Sequence, residues 1–310
     1  MTTVGIDVSK DRLDVAVRPT GERFSVSNDE KGRLDLRKRL KKLRPERIVL
    51  EPTGGYETLV VQELVSAKLP VVVVNARQIR QFAQAIGRLA KTDRIDADVI
   101  AHFGEAVQPA IRPFPDESHR QLEALVSRRR QLVEMRSGET KRKQTAPQVV
   151  HANIDDVIAF LSKQIDDIDQ DLQRLIRSTP AWREADDLLQ SVPGVGPVLS
   201  ATLTALVPEL GTLNRKQIAA LVGVAPLNND SGAREGKRTT WGGRAAVRAV
   251  LYMATSAARR FNSTIGALYT RLIAREKHHQ VALVACMRKL LVILNAIARD
   301  RKPWTPQLAG

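Results

Sequence analysis

Four acidic residues have the chemistry and the spacing of a divalent metal site. Asp7 lies near the end of an apolar run that opens the chain, and Glu51 closes a second apolar run at 48–50. Asp93 and Asp96 are three residues apart, so on a helix both carboxylates face the same way. Clustered carboxylates repel one another unless cations lie between them, and two Mg²⁺ or Mn²⁺ ions about 4 Å apart can activate an oxygen that attacks a phosphodiester. The set predicts phosphoryl transfer, while the alternative for each acid is a solvated, capping or ion-pairing role.

A glycine-rich turn between two predicted helices is the second feature. It lies in the segment 191–200, where Gly194 and Gly196 alternate with valine and proline. Glycines let the backbone approach a phosphate closely, and the N–H groups at a helix start favour an anion. The turn resembles a helix-hairpin-helix element, which holds DNA or RNA without reading its sequence. A tight turn with no ligand is the alternative.

The third feature is a basic loop at 228–244, with charge that continues onto the next predicted helix and donors that suit phosphate groups. Its cations are Arg234, Lys237, Arg238, Arg244 and Arg248. Ser231 is the best-placed hydroxyl of the loop. A serine in Asp-Ser-Gly is nevertheless more often a turn residue than a nucleophile, and no nearby histidine can serve as its base. The residues alone therefore predict a loop that binds a phosphate backbone.

Other reactive side chains are less organised along the chain. Tyr252 and Tyr269 fall in predicted helices, and the Arg, His and Trp constellation expected around a recombinase tyrosine is not evident in the sequence, so we expect packing or surface roles for them. His278 and His279 lack metal-ligand spacing. The single cysteine, Cys286, excludes an intramolecular disulfide and a cysteine-rich zinc site, and its apolar neighbours predict a core residue.

The elements that must position the first acids form an α/β pattern. Short apolar runs separated by turn residues predict strands at 2–8, 12–18, 22–27, 48–50 and 71–74, with helices at 31–43, 57–67 and 76–88. The first three strands follow one another closely and are expected to pair antiparallel. The later strands alternate with helices and are expected to pair parallel. Active sites gather at the ends of such strands, which is where Asp7 and Glu51 fall.

From about residue 115 to 185 the pattern is helical and charged. Apolar residues at alternating spacings of four and three form a seam of three heptads: Ile154, Ile158, Leu161, Ile165, Ile168, Leu172 and Leu175. The seam favours a coiled coil, either with residues 118–137 of the same chain or between subunits, and an ordinary amphipathic helix on a core is the alternative. Further helices are predicted at 196–207, 215–223, 244–260, 264–275 and 281–299. The last is apolar nearly all round and is expected to be buried.

Length and charge narrow the class of protein. A chain of 310 residues fits two domains with a connector. With 49 Lys and Arg against 34 Asp and Glu, the net charge of +15 favours a polyanionic partner, and nucleic acid is the first candidate. We find no apolar run near the roughly 20 residues that cross a bilayer and no signal peptide, so a soluble, cytoplasmic protein is expected.

Five motifs together resemble the DEDD transposases of bacterial insertion sequences, a family that includes the Piv-type DNA invertases. The motifs are Gly5-Ile6-Asp7-Val8-Ser9-Lys10, Glu51-Pro52-Thr53-Gly54, Lys91-Thr92-Asp93-Arg94-Ile95-Asp96-Ala97, Pro193-Gly194-Val195-Gly196, and the stretch from Ser231-Gly232 to Gly243-Arg244. They occur in the family's order over nearly the whole chain. The acidic positions show no departure from the family pattern.

The resemblance implies a three-part architecture: a ribonuclease H-like (RuvC-like) mixed-sheet domain at 1–112, a coiled-coil helical connector at 113–183, and a mainly α C-terminal domain with a helix-hairpin-helix at 184–310. It implies that Asp7, Glu51, Asp93 and Asp96 bind Mg²⁺ or Mn²⁺ and that Ser231 attacks the DNA backbone. By the same likeness, a structured noncoding RNA guides the enzyme to its DNA, and a homo-oligomer forms through the coiled coil. The expected nucleic-acid contacts are Lys10, Lys91, Arg94, Gly194, Gly196, Arg234, Lys237, Arg238, Arg244 and Arg248.

Three functions are compatible with these residues. The first is an RNA-guided, metal-dependent serine recombinase that excises and inserts a mobile element. The second is a structure-selective endonuclease of the Holliday-junction-resolvase kind, which uses water as the nucleophile and leaves Ser231 as a phosphate contact. The third is a non-catalytic nucleic-acid-binding protein descended from such an enzyme, and the intact acidic set disfavours it.

Overall fold

A computed structural model describes residues 2–88, 93–111, 116–227, 236 and 239–305, with the backbone alone for 93–95 and 227. The chain divides into two compact units, Met1–Phe114 and Pro115–Gly310. This division falls close to the predicted boundary at 112. It groups the predicted connector, 113–183, with the C-terminal helices.

The N-terminal unit is a mixed sheet with helices on both faces. Its elements are β1 (Thr3–Val8), β2 (Arg12–Arg18), β3 (Arg23–Ser27), α1 (Glu30–Leu43), β4 (Arg47–Leu50), α2 (Glu57–Ser66), β5 (Val71–Val73), α3 (Ala76–Ala85) and α4 (Asp93–Val107). The strand order is β3-β2-β1-β4-β5. Strands β1, β2 and β3 pair antiparallel, whereas β1, β4 and β5 pair parallel. The predicted elements and both kinds of pairing are confirmed.

The two faces of this sheet follow the alternation of side chains along each strand. Val4, Ile6 and Val8 of β1 lie in a buried apolar cluster with residues of α1 and α2. The intervening residues of β1 point to the opposite face, where α4 packs. Val49 of β4 also lies on the α4 side, in a second cluster that includes Ile100. Asp7 lies two residues after Gly5, and Glu51 lies two residues after Val49. Because side chains alternate between faces along a strand, both acids belong to the α4 face.

Helix α4 crosses this face at unusually close range because glycines line the contact. A Cβ added to Gly5 would lie 2.8 Å from the Cα of Ala101, and closer still to the carbonyl oxygen of Ala97. A Cβ on Gly104 would lie 2.7 Å from Cγ2 atoms of both Thr3 and Val49. Position 101 thus faces Gly5 and position 104 faces Thr3, so α4 runs antiparallel to β1.

The C-terminal unit is helical. Its elements are α5 (Glu117–Thr145), a 3-10 turn (Gln148–Val150), α6 (His151–Ser178), α7 (Pro180–Gln190), α8 (Pro197–Leu206), α9 (Arg215–Val222), the short strands β6 (Pro226–Leu227) and β7 (Thr239–Thr240), α10 (Ala245–Phe261), α11 (Ser263–Ala274) and α12 (His279–Asp300). The predicted helices are confirmed. The antiparallel pair of β6 and β7 was not predicted, because each strand has only two residues.

Helices α5 and α6 form an antiparallel hairpin. Leu161 and Ile165 of the predicted seam are buried against Leu132, and Leu172 lies in a cluster with Leu122 farther along the same pair of helices. Ion pairs follow the same reversed register: Arg129 pairs with Asp169, and Lys143 pairs with Asp155. The seam therefore packs within the chain. Supercoiling of the two helices and pairing between subunits stay predictions.

Helix α12 is the core of the C-terminal helices. Cys286, Leu290 and Leu294 are fully buried among residues of α8, α9 and α10. Our reading that no apolar run reaches membrane-spanning length was wrong, because the 22 residues of α12 meet that criterion by length and composition. More than half of its apolar window is buried inside the unit, as expected for a core helix.

Candidate active site

Asp7 and Glu51 lie side by side at one edge of the sheet. Strands β1 and β4 are parallel neighbours, and their register pairs Ile6 with Leu50. The residues that follow this pair are Asp7 and Glu51, which are therefore neighbours across the two strand ends. Both acids are partly exposed. Neighbouring strands lie about 4.8 Å apart. Carboxylates at the ends of two neighbouring strands suit a shared cation and repel each other without one.

The start of α4 reaches the same edge. Five residues of helix separate Asp96 from Ala101, a rise of about 7.5 Å, and two residues of strand separate Asp7 from Gly5, about 6.6 Å. Because Ala101 packs on Gly5 and α4 runs antiparallel to β1, Asp96 lies at about the level of Asp7. Asp93 is the first residue of α4, and the structure describes its backbone alone.

Two ion pairs tie α4 to the neighbouring strands and so fix where its first turn lies. Arg18 Nε of β2 is 2.6 Å from Glu105 Oε2. Arg23 Nε of β3 donates to Asp98 Oδ1 at 3.0 Å. Both pairs are partly exposed, and their stabilising effect is modest. Their consequence is positional, because they limit sliding of α4 along the sheet.

Asp14 is a fifth acid on this face, and sequence reasoning did not separate it from other nearby acids. It lies directly opposite Asp7 in the antiparallel register of β1 and β2 and is 4% exposed. Its oxygens accept hydrogen bonds from Arg12 Nε, at 2.8 Å, and from Ser25 Oγ. A buried carboxylate needs such partners. The strand register was the signal that could have singled it out.

The loop after Glu51 is folded around Glu57. The Glu57 carboxylate accepts hydrogen bonds from the backbone N–H groups of Thr53, at 3.0 Å, and Gly55, at 2.9 Å. Gly54 and Gly55 have φ values of 77° and 114°, which only glycine adopts readily. Burial raises the pKa of Glu57, but the hydrogen bonds from its own N–H and from Thr53 and Gly55 outweigh it, so the pKa is lowered.

The sheet edge where Asp7, Glu51 and the start of α4 lie is called the acidic edge below. It has the donor chemistry of a Mg²⁺ or Mn²⁺ site, since carboxylate oxygens are the ligands these hard cations prefer. Asp7, Glu51 and Asp96 carry such oxygens at two strand ends and in the first turn of α4. Among the side chains that the structure describes, a set that excludes Asp93, no group of three or more His, Cys, Asp or Glu residues is arranged to hold a metal ion. Lys10 is exposed in the turn that follows β1.

In the C-terminal unit, the turn at Gly194 has a packing explanation. Gly194 has φ 92°, and an added Cβ would lie 2.7 Å from the Cβ of Ala258 in α10. Glycine is therefore required for α10 to approach the turn between α7 and α8. Gly196 is the N-cap of α8, with Pro197 at the first helical position. Contact of Gly194 and Gly196 with nucleic acid, and the helix-hairpin-helix itself, stay predictions.

Leu227, which directly precedes the basic loop, pairs with Thr239 inside it in the ribbon of β6 and β7. Ser231, Arg234, Lys237 and Arg238 lie outside the described residues, as does Lys91 of the N-terminal unit, and the side chain of Arg94 is not described. After the ribbon, Gly243 passes so close to the end of α9 that an added Cβ would lie 2.7 Å from Gly223 Cα. The exit of the loop is thereby held against α9.

Arg244 and Arg248 both make contacts inside the unit. Arg244 Nη1 and Nη2 donate to the two carboxylate oxygens of Glu209 at 2.6 and 2.8 Å. Arg248 Nη1 donates to the carbonyl oxygens of Val222, at 3.1 Å, and Gly242. These bonds fix the end of the loop on α9 and α10. Binding of nucleic acid by the two arginines stays a prediction.

Family comparisons agree with the motifs. A model of DEDD transposases of the IS110 type, described as transposase, matches residues 4–147, which include the acidic edge. A second model, described as transposase IS116/IS110/IS902 family, matches residues 186–270, which include the basic loop. The chain belongs to the IS110/IS116 transposase family. This transposase is accordingly an enzyme of DNA transposition and recombination.

Relatives of the transposase include two full-length matches. The pilin gene-inverting proteins of Moraxella bovis and Moraxella lacunata are 26% and 25% identical to it, over 99% of this chain and 98% of theirs. An insertion element IS116 protein of Streptomyces clavuligerus is 28% identical over 46% of this chain and 36% of its own length. Among solved structures, RuvC of T. thermophilus in complex with a Holliday junction substrate matches 37% of the transposase at a TM-score of 0.29 and 17% identity.

Proposed function

We propose that this transposase excises and inserts a mobile element by serine-based strand exchange at a site that combines Asp7, Glu51, Asp93 and Asp96 with Ser231. One observation carries the proposal: the parallel register of β1 and β4 puts Asp7 beside Glu51, and α4 brings its first turn to the same edge. Phosphoryl transfer needs oxygen ligands gathered in this way. The domain would then be ribonuclease H-like, with its acids in the usual place for that fold.

The four acids would hold Mg²⁺ or Mn²⁺, and the bound ion would supply Lewis-acid activation of an oxygen nucleophile. Ser231 Oγ would attack a DNA phosphorus and lose its proton. A phosphoserine ester forms, one phosphorus–oxygen bond of the DNA backbone breaks, and the departing deoxyribose oxygen takes up a proton. Attack by a deoxyribose hydroxyl of a second strand then reverses the chemistry and releases Ser231. Gly232, beside Ser231, would let the DNA backbone approach closely.

Guidance by a structured RNA and assembly into a homo-oligomer belong to the same proposal. The net charge of +15 suits a protein that holds RNA and DNA together. If base pairing chooses the DNA, the protein needs to hold only backbone and shape. Assembly through α5 and α6 would let one subunit's acids act with Ser231 of another, which would explain why the loop has no base of its own.

A denaturation-resistant protein–DNA band tests the serine step. We would incubate wild type, Ser231→Ala and the matched control Ser263→Ala with Mg²⁺, the element's junction DNA and copurified RNA. We expect the band with wild type and Ser263→Ala and none with Ser231→Ala. Cleaved DNA without a band in any of the three proteins would instead favour the water-using, resolvase-like endonuclease.

The acidic edge is tested in the same assay with Asp7→Asn. Strand cleavage should fall by at least about 100-fold, because a metal-binding oxygen is lost, while DNA binding in the absence of metal should be retained. Asp11→Asn makes the same change of charge at an exposed position three residues beyond β1, and it should cleave normally. Equal activity of the two variants would overturn the metal-site assignment.

A further inference from the structure

Tyr269 has a histidine and an arginine beside it that the sequence did not reveal. Tyr269 Oη, on α11, lies 2.6 Å from Nδ1 of His279, the first residue of α12. The two rings meet edge to face, with centroids 5.8 Å apart. The guanidinium of Arg259, near the end of α10, lies 5.1 Å from the centre of the Tyr269 ring. The sequence did not reveal these neighbours because they come from two other helices, while Tyr269 itself packs against the C-terminal core as expected.

The Tyr269–His279 pair always presents one hydrogen-bond donor outward. If Tyr269 donates to Nδ1, the proton of a neutral imidazole is on Nε2, which then points away from the tyrosine. If Nδ1 donates instead, the phenolic hydrogen is free to turn outward. His279 is exposed, and the hydrogen bond between the pair also lies at the surface. The arrangement offers a donor to solvent or to a ligand in both tautomers.

The pair lies in a strongly basic part of the chain. Beyond residue 209 the only acids are Asp230, Glu235, Glu276 and Asp300, and Lys and Arg outnumber them several-fold. In the described part of the unit, no carboxylate forms an ion pair with Arg259. Arg260 and Phe261 follow it, and both are exposed, Phe261 to 71%. A cation over an aromatic ring, outward donors and an exposed second ring suit a nucleic acid, which offers phosphates and base faces.

We propose that Arg259, Tyr269 and His279 form a contact site for the phosphodiester backbone of a nucleic acid. Arg259 would supply charge to a phosphate, and the Tyr269–His279 pair would supply a neutral hydrogen bond to the same or the next one. Fifteen residues of α10 separate Arg244 from Arg259, about 22 Å at 1.5 Å per residue. The site is thus distinct from the basic loop and would extend the bound nucleic acid along α10. This inference rests on the proposed function, in which nucleic acid is the substrate.

The test is equilibrium binding with EDTA present, so that no cleavage contributes. Fluorescence anisotropy of labelled junction DNA, and separately of labelled copurified RNA, would be measured across a salt series. Arg259→Gln should weaken binding about eightfold at 0.1 M salt and lower the slope of log K against log salt by about 0.9 for duplex DNA, because one phosphate contact is lost. Lys163→Gln, at an exposed position of α6, is the control of equal charge and should change neither quantity.

Tyr269→Phe separates a ligand contact from packing. It keeps the ring under Arg259 and removes the hydroxyl, so affinity should fall by about two- to tenfold, with the salt slope and the melting temperature unchanged. The nucleic acid whose binding responds to both substitutions is the ligand of this site. If the DNA and the RNA each bind to Arg259→Gln and to Tyr269→Phe with the affinity that they have for wild type, the site does not contact nucleic acid.

The outcome is separable from that of the serine test. Failure of wild type to bind either nucleic acid would overturn both proposals. Normal binding by the Arg259 and Tyr269 variants, with the Ser231-dependent band intact, would overturn this site alone. A fall in melting temperature equal in size for Arg259→Gln and Tyr269→Phe, without a change in salt slope, would assign the cluster to packing of α10, α11 and α12.

Discussion

At the scale of single residues, the acidic edge depends on side chains of opposite roles. Asp7 and Glu51 are partly exposed, and in the proposed mechanism they take a cation, whereas Asp14, their buried neighbour, accepts hydrogen bonds from Arg12 and Ser25. A carboxylate whose oxygens are already bonded has little left to offer a metal, so Asp14 is expected to support the strand pair and not to ligate.

Glu57 gives a prediction with a defined pH dependence. Its pKa is lowered in the folded state, so its contribution to stability is present above the ordinary glutamate pKa and is lost as pH falls through the folded value. Glu57→Gln should reduce the free energy of unfolding by about 1–2 kcal/mol at neutral pH. The difference from wild type should shrink as pH falls through the lowered folded pKa of Glu57, because the wild-type carboxylate is then itself protonated.

Thermal melting of wild type and Glu57→Gln from pH 3 to pH 7 would measure this. Asp35→Asn, an exposed acid on α1 of the same unit, is the control and should track wild type at each pH. A constant difference across the range would mean that the loop is held by contacts other than the charged carboxylate.

At the scale of elements, the packing of α4 on β1 decides whether the acids meet. Gly5 has no room for a side chain, so Gly5→Ala should push α4 from the sheet and lower stability by about 1–3 kcal/mol. Cleavage should fall further than stability explains, because Asp93 and Asp96 move with α4. Gly138→Ala on α5, where an added Cβ meets nothing within 4 Å, should leave stability unchanged or raise it by up to about 1 kcal/mol. Melting curves and cleavage rates of both variants check this.

The helical hairpin makes a second prediction at this scale. Ile165 is 3% exposed within a single chain, so Ile165→Asp should unfold the hairpin rather than merely separate subunits. Phe160, five residues earlier, is 61% exposed, and Phe160→Asp should leave the melting temperature unchanged. Circular dichroism measures the loss of helix in Ile165→Asp, and light scattering measures the oligomeric state of both variants. A lower oligomeric state for Phe160→Asp would identify the outer face of α6 as the subunit contact, whereas dissociation of folded Ile165→Asp chains would contradict intrachain packing.

At the scale of the whole molecule, two units with separate cores are expected to unfold separately. Calorimetry of the full chain should show two transitions. Gly5→Ala should lower only the transition of the N-terminal unit, and Leu290→Ala, which empties a fully buried position of α12, should lower only the other by about 2–5 kcal/mol of stability. A single transition that both variants shift equally would show that the units fold as one.

The sequence was informative wherever structure depends on near neighbours. Period-two and heptad patterns predicted β1 to β5, the long helices and the mixed strand pairing, because side-chain alternation is imposed locally by the backbone. The family motifs marked the acids and the basic loop. The patterns did not predict β6 and β7, because strands of two residues have no periodicity. They also did not give the reason for glycine at position 194, which is a contact with Ala258 in another helix.

The sequence by itself determined the helices and strands, the net charge and the family of this transposase, since each depends on residue type and on the spacing of residues close together in the chain. Only the tertiary structure decided which side chains meet. It paired Asp7 with Asp14, turned Arg244 toward Glu209, and brought His279 and Arg259 to Tyr269. Such contacts join residues from different elements, and their existence depends on how those elements pack. One helix or one strand cannot specify them.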